Sequence, residues 1–464
     1  MKKNGSDIEI DFESLISKDE VRKLALQTGF SQRSGGKIDP YEFLFVLVFR
    51  SLASVQPGLA LLTSFLNLLV TREALHQRFN KRGEALFGKC LSLILSRRLL
   101  TVSPLKTGLS ANFSEISIID SSSWKIPEQL QWVFPGCGGS GGKAGCKLQF
   151  CYDYLTGEFQ ILEEMEGKLP DQKFTRNLPS IINKGAIAIF DLGYWAFESF
   201  FNISKNGSYF LSRLNTQVQL WKKDGDVFVA VDLMKTLKNS PQQAVEIELY
   251  LRKGKQFVKV RLVGYLAPKE ISGLRRMKMR RAGQKKGRAP SKRSLFYCDW
   301  SLFITNAHVE ILPGEMLRAL YRLRWNVELI FKSWKSVLGM HKTNVRKNSY
   351  RLKCELYAKL ILATIVHRIH HHLNSYMWNS QKRELSLDKL WKYIQARIGT
   401  FHERMLLGPV VFSAYVNSLL KNIMLVCEKN HQNKRKTTLQ LIDEMIGDPK
   451  PVKGGIEFKF TVRK

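Results

Sequence analysis

Residues 321–335 read YRLRWNVELIFKSWK. Tyr321, Arg324, Glu328 and Lys335 stand at relative offsets of 0, 3, 7 and 14, which an α-helix of about 3.6 residues per turn gathers on one narrow stripe. Leu320, Leu323, Val327, Ile330 and Trp334 fall on the opposite side, the side a globular protein buries. The spacing predicts one helix that presents a single carboxylate toward a site, flanked by a phenol, a guanidinium and an ammonium. Glu328 is the only acid between Glu315 and Glu355, while ten Lys and Arg lie from Arg318 to Lys353. An acid isolated in that much positive charge suits a metal ligand held against a polyanion. A solvated Glu/Lys helix face has the same spacing, so the box gains its meaning from acids elsewhere in the chain.

A chain of 464 residues suggests roughly two to four domains, and 44% hydrophobic residues can build a large core. Lys and Arg number 73 against 40 acids, a net charge of +33. Such a balance most often serves a nucleic-acid partner. A membrane surface is the rival partner, but the basic residues are spread along the chain rather than collected on one amphipathic helix. The apolar run from Phe43 to Val70 is broken by Arg50 and by Gln56-Pro57-Gly58, which makes it a pair of core helices rather than a membrane span. The N-terminal MKKNGSDIEIDF carries no apolar signal region. Seven cysteines without paired spacing point to a reducing compartment. Cys137, Cys146 and Cys151 have no histidine near them, since none lies between His76 and His308. They read as small buried hydrophobes rather than zinc ligands.

Residues 15–100 read as helical, with turn signals at Ser34-Gly35-Gly36 and Pro57-Gly58. Thr71–Phe87 has a Thr cap and an Arg/Lys-rich face; it reads either as the reading helix of a small DNA-binding domain or as a solvated surface helix. From residue 115 the texture changes. A strand ends in Asp120, and Lys147–Tyr154 alternates with Leu148, Phe150 and Tyr152 on one face. Leu155-Thr156-Gly157 turns the chain into a returning strand, Glu158–Glu166. A helix at 171–183, a short buried strand at 185–190 ending in Asp191, a helix at 195–204 and a strand at 208–214 follow. Strand, strand, strand, helix, strand, helix, strand is the order of a ribonuclease H-like core. Residues 215–300 hold β-rich runs, Val227–Val231, Val245–Leu251 and Phe257–Val263, and then a stretch, Arg275–Arg293, with ten Lys or Arg in nineteen residues. After Glu328 the chain reads as helical to near residue 446.

Asp120 and Asp191 each stand at a strand end, where neighbouring strands bring side chains to one edge. With Glu328 packed alongside, three acids can hold two Mg²⁺ ions roughly 3.5–4 Å apart, one activating a water or a DNA 3′-hydroxyl and one stabilising the leaving oxygen. Carboxylate ligands suit Mg²⁺, with Mn²⁺ as its natural substitute, rather than zinc. Each Asp alone would read as a turn residue or helix cap; the three together in this element order do not.

Asp120, Asp191 and Glu328, with the Tyr321–Arg324–Glu328–Lys335 box, resemble the DDE transposases of the insertion sequence four family. The box Y-x2-R-x3-E-x6-K is met at all four positions, and Asp191-Leu-Gly-Tyr194 is similar to the family's D-x-G-Y signature. The resemblance covers about residues 70–375 and also includes the β-rich insertion before the third acid. It implies an α/β fold: a ribonuclease H-like catalytic core (109–214 and 305–375) interrupted by a β-rich insertion domain (215–304). Helical regions flank it, an N-terminal one (1–108) that binds the element's DNA ends and a C-terminal one (376–464) suited to dimerisation. It implies cut-and-paste transposition through a hairpin intermediate, by a dimer acting on double-stranded DNA, in a bacterial cytoplasm at the nucleoid. By resemblance Trp300 stacks on a base flipped out during hairpin formation, although a core Trp ahead of the last strand reads equally from its place. Arg213, at the entry to the insertion, resembles a DNA-contacting arginine. Tyr321, Arg324 and Lys335 would bind phosphate near the cleavage site.

Other features read more plainly. Pro135–Gly145 is glycine-rich, but Gly142-Lys143 is followed by Ala, so it lacks the Ser/Thr of a nucleotide loop and reads as a flexible hairpin. His367, His370, His371 and His372 have no acids or cysteines beside them and read as a helix surface. Lys147 faces DNA or edges its strand. A catalytically silent end-binding repressor and a structure-selective nuclease of the same fold are the competing functions. Three clustered acids argue against the first, and the Tyr-Arg-Glu-Lys box with Trp300 argues against the second.

Overall fold

The computed structural model describes residues 9–12, 15–32, 37–52, 59–65, 70–97, 112–240, 243–430 and 436–446. The turn signals at 34–36 and 57–58 and the expected boundary at 108/109 lie outside them.

Five helices open the chain: α1 (Lys18–Gln27), α2 (Pro40–Arg50), α3 (Leu59–Phe65), α4 (Arg72–Gln77) and α5 (Lys81–Ser96). The single helix expected over 71–87 is therefore two. Thr71 caps the first, accepting from Ala74 N–H at 3.2 Å, and Asn80 caps the second, accepting from Arg82 and Gly83 N–H at 2.8 and 3.1 Å. A Cβ on Gly83 would stand 2.3 Å from the Arg78 carbonyl oxygen, so only glycine permits so sharp a junction.

The strands are β1 (Ile116–Lys125), β2 (Gly145–Asp153), β3 (Phe159–Glu166), β4 (Ile187–Phe190), β5 (Tyr209–Arg213), β6 (Leu220–Asp224), β7 (Val227–Val231), β8 (Ala244–Lys253), β9 (Gln256–Leu266) and β10 (Trp300–Thr305). They form one sheet in the order β3-β2-β1-β4-β5-β10-β9-β8-β6-β7. β1, β4 and β5 run parallel, and β2 and β3 fold back antiparallel beside β1. The segment 215–304 is thus no separate sheet: β10 pairs antiparallel with β5, and β9, β8, β6 and β7 extend the same sheet outward. Its basic stretch, read only as a charge run, is largely a helix.

Alternation along the central strands gives both faces a core, as parallel strands require. Ile116, Ile118, Ile187 and Ile189 point to one side and Ile119, Ala188 and Phe190 to the other. The second side is covered by a 3₁₀ segment (Asp171–Asn177), α6 (Leu178–Ile181), α7 (Phe197–Lys205) and α8 (Leu233–Lys238), so the single helix expected at 171–183 begins as 3₁₀ turns. Beyond β9 come α9 (Lys269–Lys285) and α10 (Lys292–Phe296). After β10 the chain is helical: α11 (Gly314–Arg322), α12 (Arg324–Ser336), α13 (Ser349–Gln381), α14 (Leu387–Gln395), α15 (Ile398–Leu407), α16 (Pro409–Val426) and α17 (Thr438–Ile446). The two ends of the chain share one core, in which Phe12 meets Phe412 at 5.1 Å between ring centroids and Tyr41 donates to the Met405 carbonyl at 2.9 Å. Among the described residues one helix, Pro409–Val426, is long and apolar enough to cross a membrane; its Phe412, Val416, Leu420 and Ile423 belong to that same core.

α13 overturns the surface reading of the histidines. A helix of 33 residues through the middle of the molecule is buried on every side. His367, His371 and His372 are buried within it. Trp334 Nε1–H donates to His367 Nε2 at 3.2 Å. His371 lies against Gly157, which turns the β2–β3 hairpin at φ +74°; a Cβ there would stand 2.1 Å from the imidazole.

Burial holds these imidazoles neutral, pushing His370 and His372 down to about 4 and His371 to about 3, with His367 lower than its ordinary value as well. A base with a depressed folded pKa binds fewer protons folded than unfolded. Stability is therefore full above about pH 6.5 and falls as pH drops toward 4, by about 1.4 kcal/mol per pH unit for each histidine. Thermal melting across that range will show the decline, and His371→Gln will flatten it; a wild-type melting temperature constant from pH 7 to 4 would refute the assignment.

Candidate active site

The site lies where three segments distant in sequence meet. Asp120 is in the middle of β1 rather than at its end: the strand continues to Lys125, and Asp120 pairs with Phe150 on β2. Asp191 follows β4 directly and caps a 3₁₀ turn, Leu192–Tyr194, its Oδ1 accepting from Gly193 N–H at 2.8 Å. β1 and β4 are parallel neighbours with Ile118 opposite Ile189, so Asp120 stands beside Asp191 where β4 ends and β1 continues.

Glu328 comes from α12. The sequence predicts one helix through Tyr321 and Lys335; the chain instead steps at Leu323, between α11 and α12, where Asn326 N–H donates to the Leu323 carbonyl at 2.9 Å. Tyr321, before the step, is covered by the sheet. Its ring is 7% exposed and packs against Phe303 at 5.1 Å. The apolar side is as expected: Leu320, Leu323, Val327, Ile330 and Trp334 are all buried.

Arg324 fixes the geometry. Its Nη1 donates to Asp120 Oδ2 at 2.8 Å and its Nη2 to Glu328 Oε1 at 3.0 Å. The guanidinium thus bridges two of the three acids, while its buried Nε–H has no acceptor among the described residues. Lys335 Nζ, further along α12, donates to the Ser123 carbonyl at 3.4 Å. Asp120, Asp191, Arg324, Glu328, Lys332, Lys335 and His341 line one cavity of about 710 Å³. Burial raises the Asp120 carboxyl to about 6; Ser121 N–H and Arg324 oppose the shift, and the charges of Asp191 and Asp171 add to it.

Asp171 is the acid that the sequence reading missed. Its Oδ1 accepts from Ser121 Oγ at 2.8 Å, Lys147 Nζ at 3.0 Å and Gln149 Nε2 at 2.9 Å. Gln149 in turn accepts from the Tyr194 hydroxyl at 2.5 Å. Lys147 is therefore neither a DNA-facing residue nor a strand edge: it is buried and also donates to the Leu169 carbonyl. A Cβ on Gly193 would stand 3.0 Å from Asp191 Oδ1 and 3.2 Å from Asp171 Oδ2, so the glycine of the D-x-G-Y phrase lies between two carboxylates. A lysine alternating with apolar residues on an inward strand was the only signal in the sequence for such a partner.

Besides Tyr321, two expected residues do not line the cavity. Trp300, at the start of β10, is 7% exposed and belongs to the core on the α7 side of the sheet. With its ring covered, it offers no face to a base in this arrangement. Arg213 is exposed at the end of β5, opposite Phe303 on β10, and its charge reaches Tyr321.

Among the described residues no three His, Cys, Asp or Glu side chains stand close enough to chelate one ion as they are placed. The donor set nevertheless suits a hard divalent cation, being all carboxylate oxygen. The positive charge between Asp120 and Glu328 is supplied here by Arg324, and an ion shared by those acids requires the guanidinium to turn away from one of them.

A family model described as the transposase DDE domain matches residues 111–365, more than half of the chain and all three acids. The chain belongs to the DDE-domain transposases. It is 27% identical over 443 residues to the transposase for insertion sequence element IS231C of Bacillus thuringiensis subsp. berliner, with 91% of this chain and 92% of that protein covered. It is 24% identical over 442 residues to the transposase for insertion sequence element IS1151 of Clostridium perfringens, covering 91% and 93%.

Two outcomes are expected of this transposase from the packing alone. Arg324→Ala removes the partner of a mostly buried carboxylate, which raises the folded pKa of Asp120 further above its unfolded value. The cost, about 1–3 kcal/mol, is full at pH 8, shrinks as Asp120 takes its proton and is gone near pH 4; denaturant melts at the two pH extremes measure it. Trp300→Ala costs about 3–5 kcal/mol by opening a cavity. An unchanged melting temperature would show that Trp300 is not held by the core.

Proposed function

We propose that this protein is the transposase of an insertion sequence of the insertion sequence four type, binding the element's inverted DNA ends and catalysing strand cleavage and transfer. Asp120, Asp191 and Glu328 are its catalytic acids. The observation that carries the reading is that these three, from β1, β4 and α12, line one cavity with Arg324, Lys332 and Lys335. The strand order β3-β2-β1-β4-β5 with β1, β4 and β5 parallel supports a ribonuclease H-like core over 109–214 and 305–375, with 215–304 as an insertion built onto its edge strand.

The acids would hold Mg²⁺ or Mn²⁺, which supplies an activated water or 3′-hydroxyl and stabilises the leaving oxygen. The protein's own part is positioning. Arg324 holds both Asp120 and Glu328, and a phosphate would be met by the same Nη groups once one of them leaves its acid. Lys335 and Lys332 place ammonium charge on the same wall. Burial lowers the Lys335 pKa, the direction expected of an ammonium that awaits an anion. The network of Asp171, Lys147, Gln149 and Tyr194 fixes the turn that carries Asp191. In this reading the protein is a dimer on its DNA and works in the bacterial cytoplasm at the nucleoid, the N-terminal helices hold the DNA ends, Tyr321 binds phosphate near the cleavage site with Arg324 and Lys335, Arg213 contacts DNA at the entry to the insertion, and Trp300 stacks on the base flipped out before a hairpin forms. For Trp300, β10 must part from its cover.

Asp120→Ala, Asp191→Ala and Glu328→Ala are each expected to abolish cleavage of end DNA, by at least about 10³-fold, while leaving end binding within about threefold, because the acids hold metal and the cationic surface holds phosphate. Gel-shift and nicking assays with Mg²⁺ on the DNA that brackets the gene test this. Substantial nicking by any one variant removes that residue from the catalytic set.

A further inference from the structure

α9 is the most cationic element of the fold and the mechanism above does not use it. From Ile271 to Cys298 the chain contains no acid. Its inward side is short: Ser272 is buried, Arg275 donates to the Cys298 and Trp300 carbonyls at 3.2 and 3.1 Å and to Ser301 Oγ at 2.9 Å, and Arg276 pairs with Asp299. At 100° per residue, Lys278, Arg281 and Lys285 fall on the opposite side within an arc of about 60°. All three are exposed, and among the described residues none pairs with an acid.

The inward side of α9 is tied to β10, the neighbour of β5. Arg275 grips β10 at Trp300 and Ser301, and Arg213 stands opposite Phe303 on the same strand. Two residues of strand separate Ser301 from Phe303, about 7 Å. The charges of Arg213 and Arg318 are felt at Arg275, and Arg213 and Arg324 are both felt at Tyr321. Arginines therefore follow one another from Arg324 through Arg213 and Arg275 to α9.

We propose that the Lys278–Arg281–Lys285 face of α9 is a second DNA-backbone surface, which holds the duplex flanking the cleavage site. The proposal rests on the transposase reading above and adds where the duplex runs. From Lys278 to Lys285 the helix rises about 10 Å, which matches about 3 base pairs of one backbone. The spacings of three and four residues place successive ammonium and guanidinium groups about 4.5 and 6 Å apart along the axis, close enough to serve neighbouring phosphates. Ile271 and Leu274 continue the same face toward its N-terminal end and are exposed, so a protein partner is the competing occupant.

The test is Lys278→Gln/Arg281→Gln/Lys285→Gln in the full chain. The probes are a duplex carrying the terminal DNA that brackets the gene and a scrambled duplex of equal length. The slope of log affinity against log salt is expected to fall by about 2–3, near 0.9 for each lost phosphate contact, on both duplexes. Hydroxyl-radical protection is expected to shorten by about 3 base pairs on one flank, with nicking of bound DNA retained. A slope and footprint equal to wild type overturn the proposal, as does a change of sedimentation state with DNA binding intact, which would assign the face to a protein contact. If the triple variant does not melt like wild type, Arg281→Gln alone must lower the slope by about 0.9. A wild-type protein whose binding ignores salt on both duplexes would instead defeat the transposase reading itself.

Discussion

The fork of Arg324 between Asp120 and Glu328 is the contact on which the site depends, because it joins elements 204 residues apart. Nothing in the backbone obliges α12 to lie over β1 in one register. The apolar side of α12, from Val327 to Trp334, gives the helix a place to sit, but dispersion and hydrophobic contact tolerate small slides. A planar guanidinium with two directed N–H groups does not. Lysine in its place would keep the charge and lose the bridge. The same fork sets a positive charge against the mostly buried Asp120 carboxylate, whose ionisation burial would otherwise make costly.

How far the site could be read from the chain follows from which signals are local. The Arg324–Glu328–Lys335 spacing survives because it lies within one helix, and Asp191-Leu-Gly-Tyr194 survives because it is one turn. Asp120 was legible as an acid on an apolar strand but not as a mid-strand residue, since Ser121-Ser122-Ser123 looks like a turn and is in fact paired with Gln149, Leu148 and Lys147. Asp171 was invisible: its three partners come from β1 and β2, and no spacing in the sequence announces them. Tyr321 was misplaced because periodicity gives the stripe but not what covers it, and Phe303 on β10 packs over the ring. The histidines of α13 failed for a related reason. A polar run in a helix looks solvated unless one knows that packing surrounds it, and here Trp334 and the Gly157 turn do so.

The sheet has a further consequence. An insertion that formed a separate body could move without disturbing the acids. Here β10 pairs with β5 on one side and β9 on the other, so the inserted strands and the catalytic edge share one hydrogen-bonded ladder. Arg261 on β9 donates to the Leu312 carbonyl and pairs with Glu246, just before the helix pair that carries Tyr321 and Glu328. A force applied to the outer strands therefore reaches the loop before α11 through few intermediates. Trp300 lies within this ladder, which is why exposing its ring would require the strand itself to yield.

Charge completes the argument. A chain with 33 more cations than acids repels itself. Some acids are placed inward, where Asp171 takes Lys147, Glu158 takes Arg368 and Glu84 takes Lys353, and others pair at the surface, as Glu198 does with Lys253 and Glu248 with Lys259. On α9 Asp299 takes the inward Arg276, and among the described residues no acid pairs with Lys278, Arg281 or Lys285. An unrelieved surface of this kind is stabilised by the arrival of a polyanion, whose condensed counterions are released in exchange. The same distribution leaves the cavity acids as the main negative charge facing that polyanion, so a phosphate is drawn toward the cationic walls and repelled at the acids themselves. On the proposed function, a divalent cation held by Asp120, Asp191 and Glu328 would remove that last repulsion, and metal and DNA would then be cooperative partners of one site rather than independent ones.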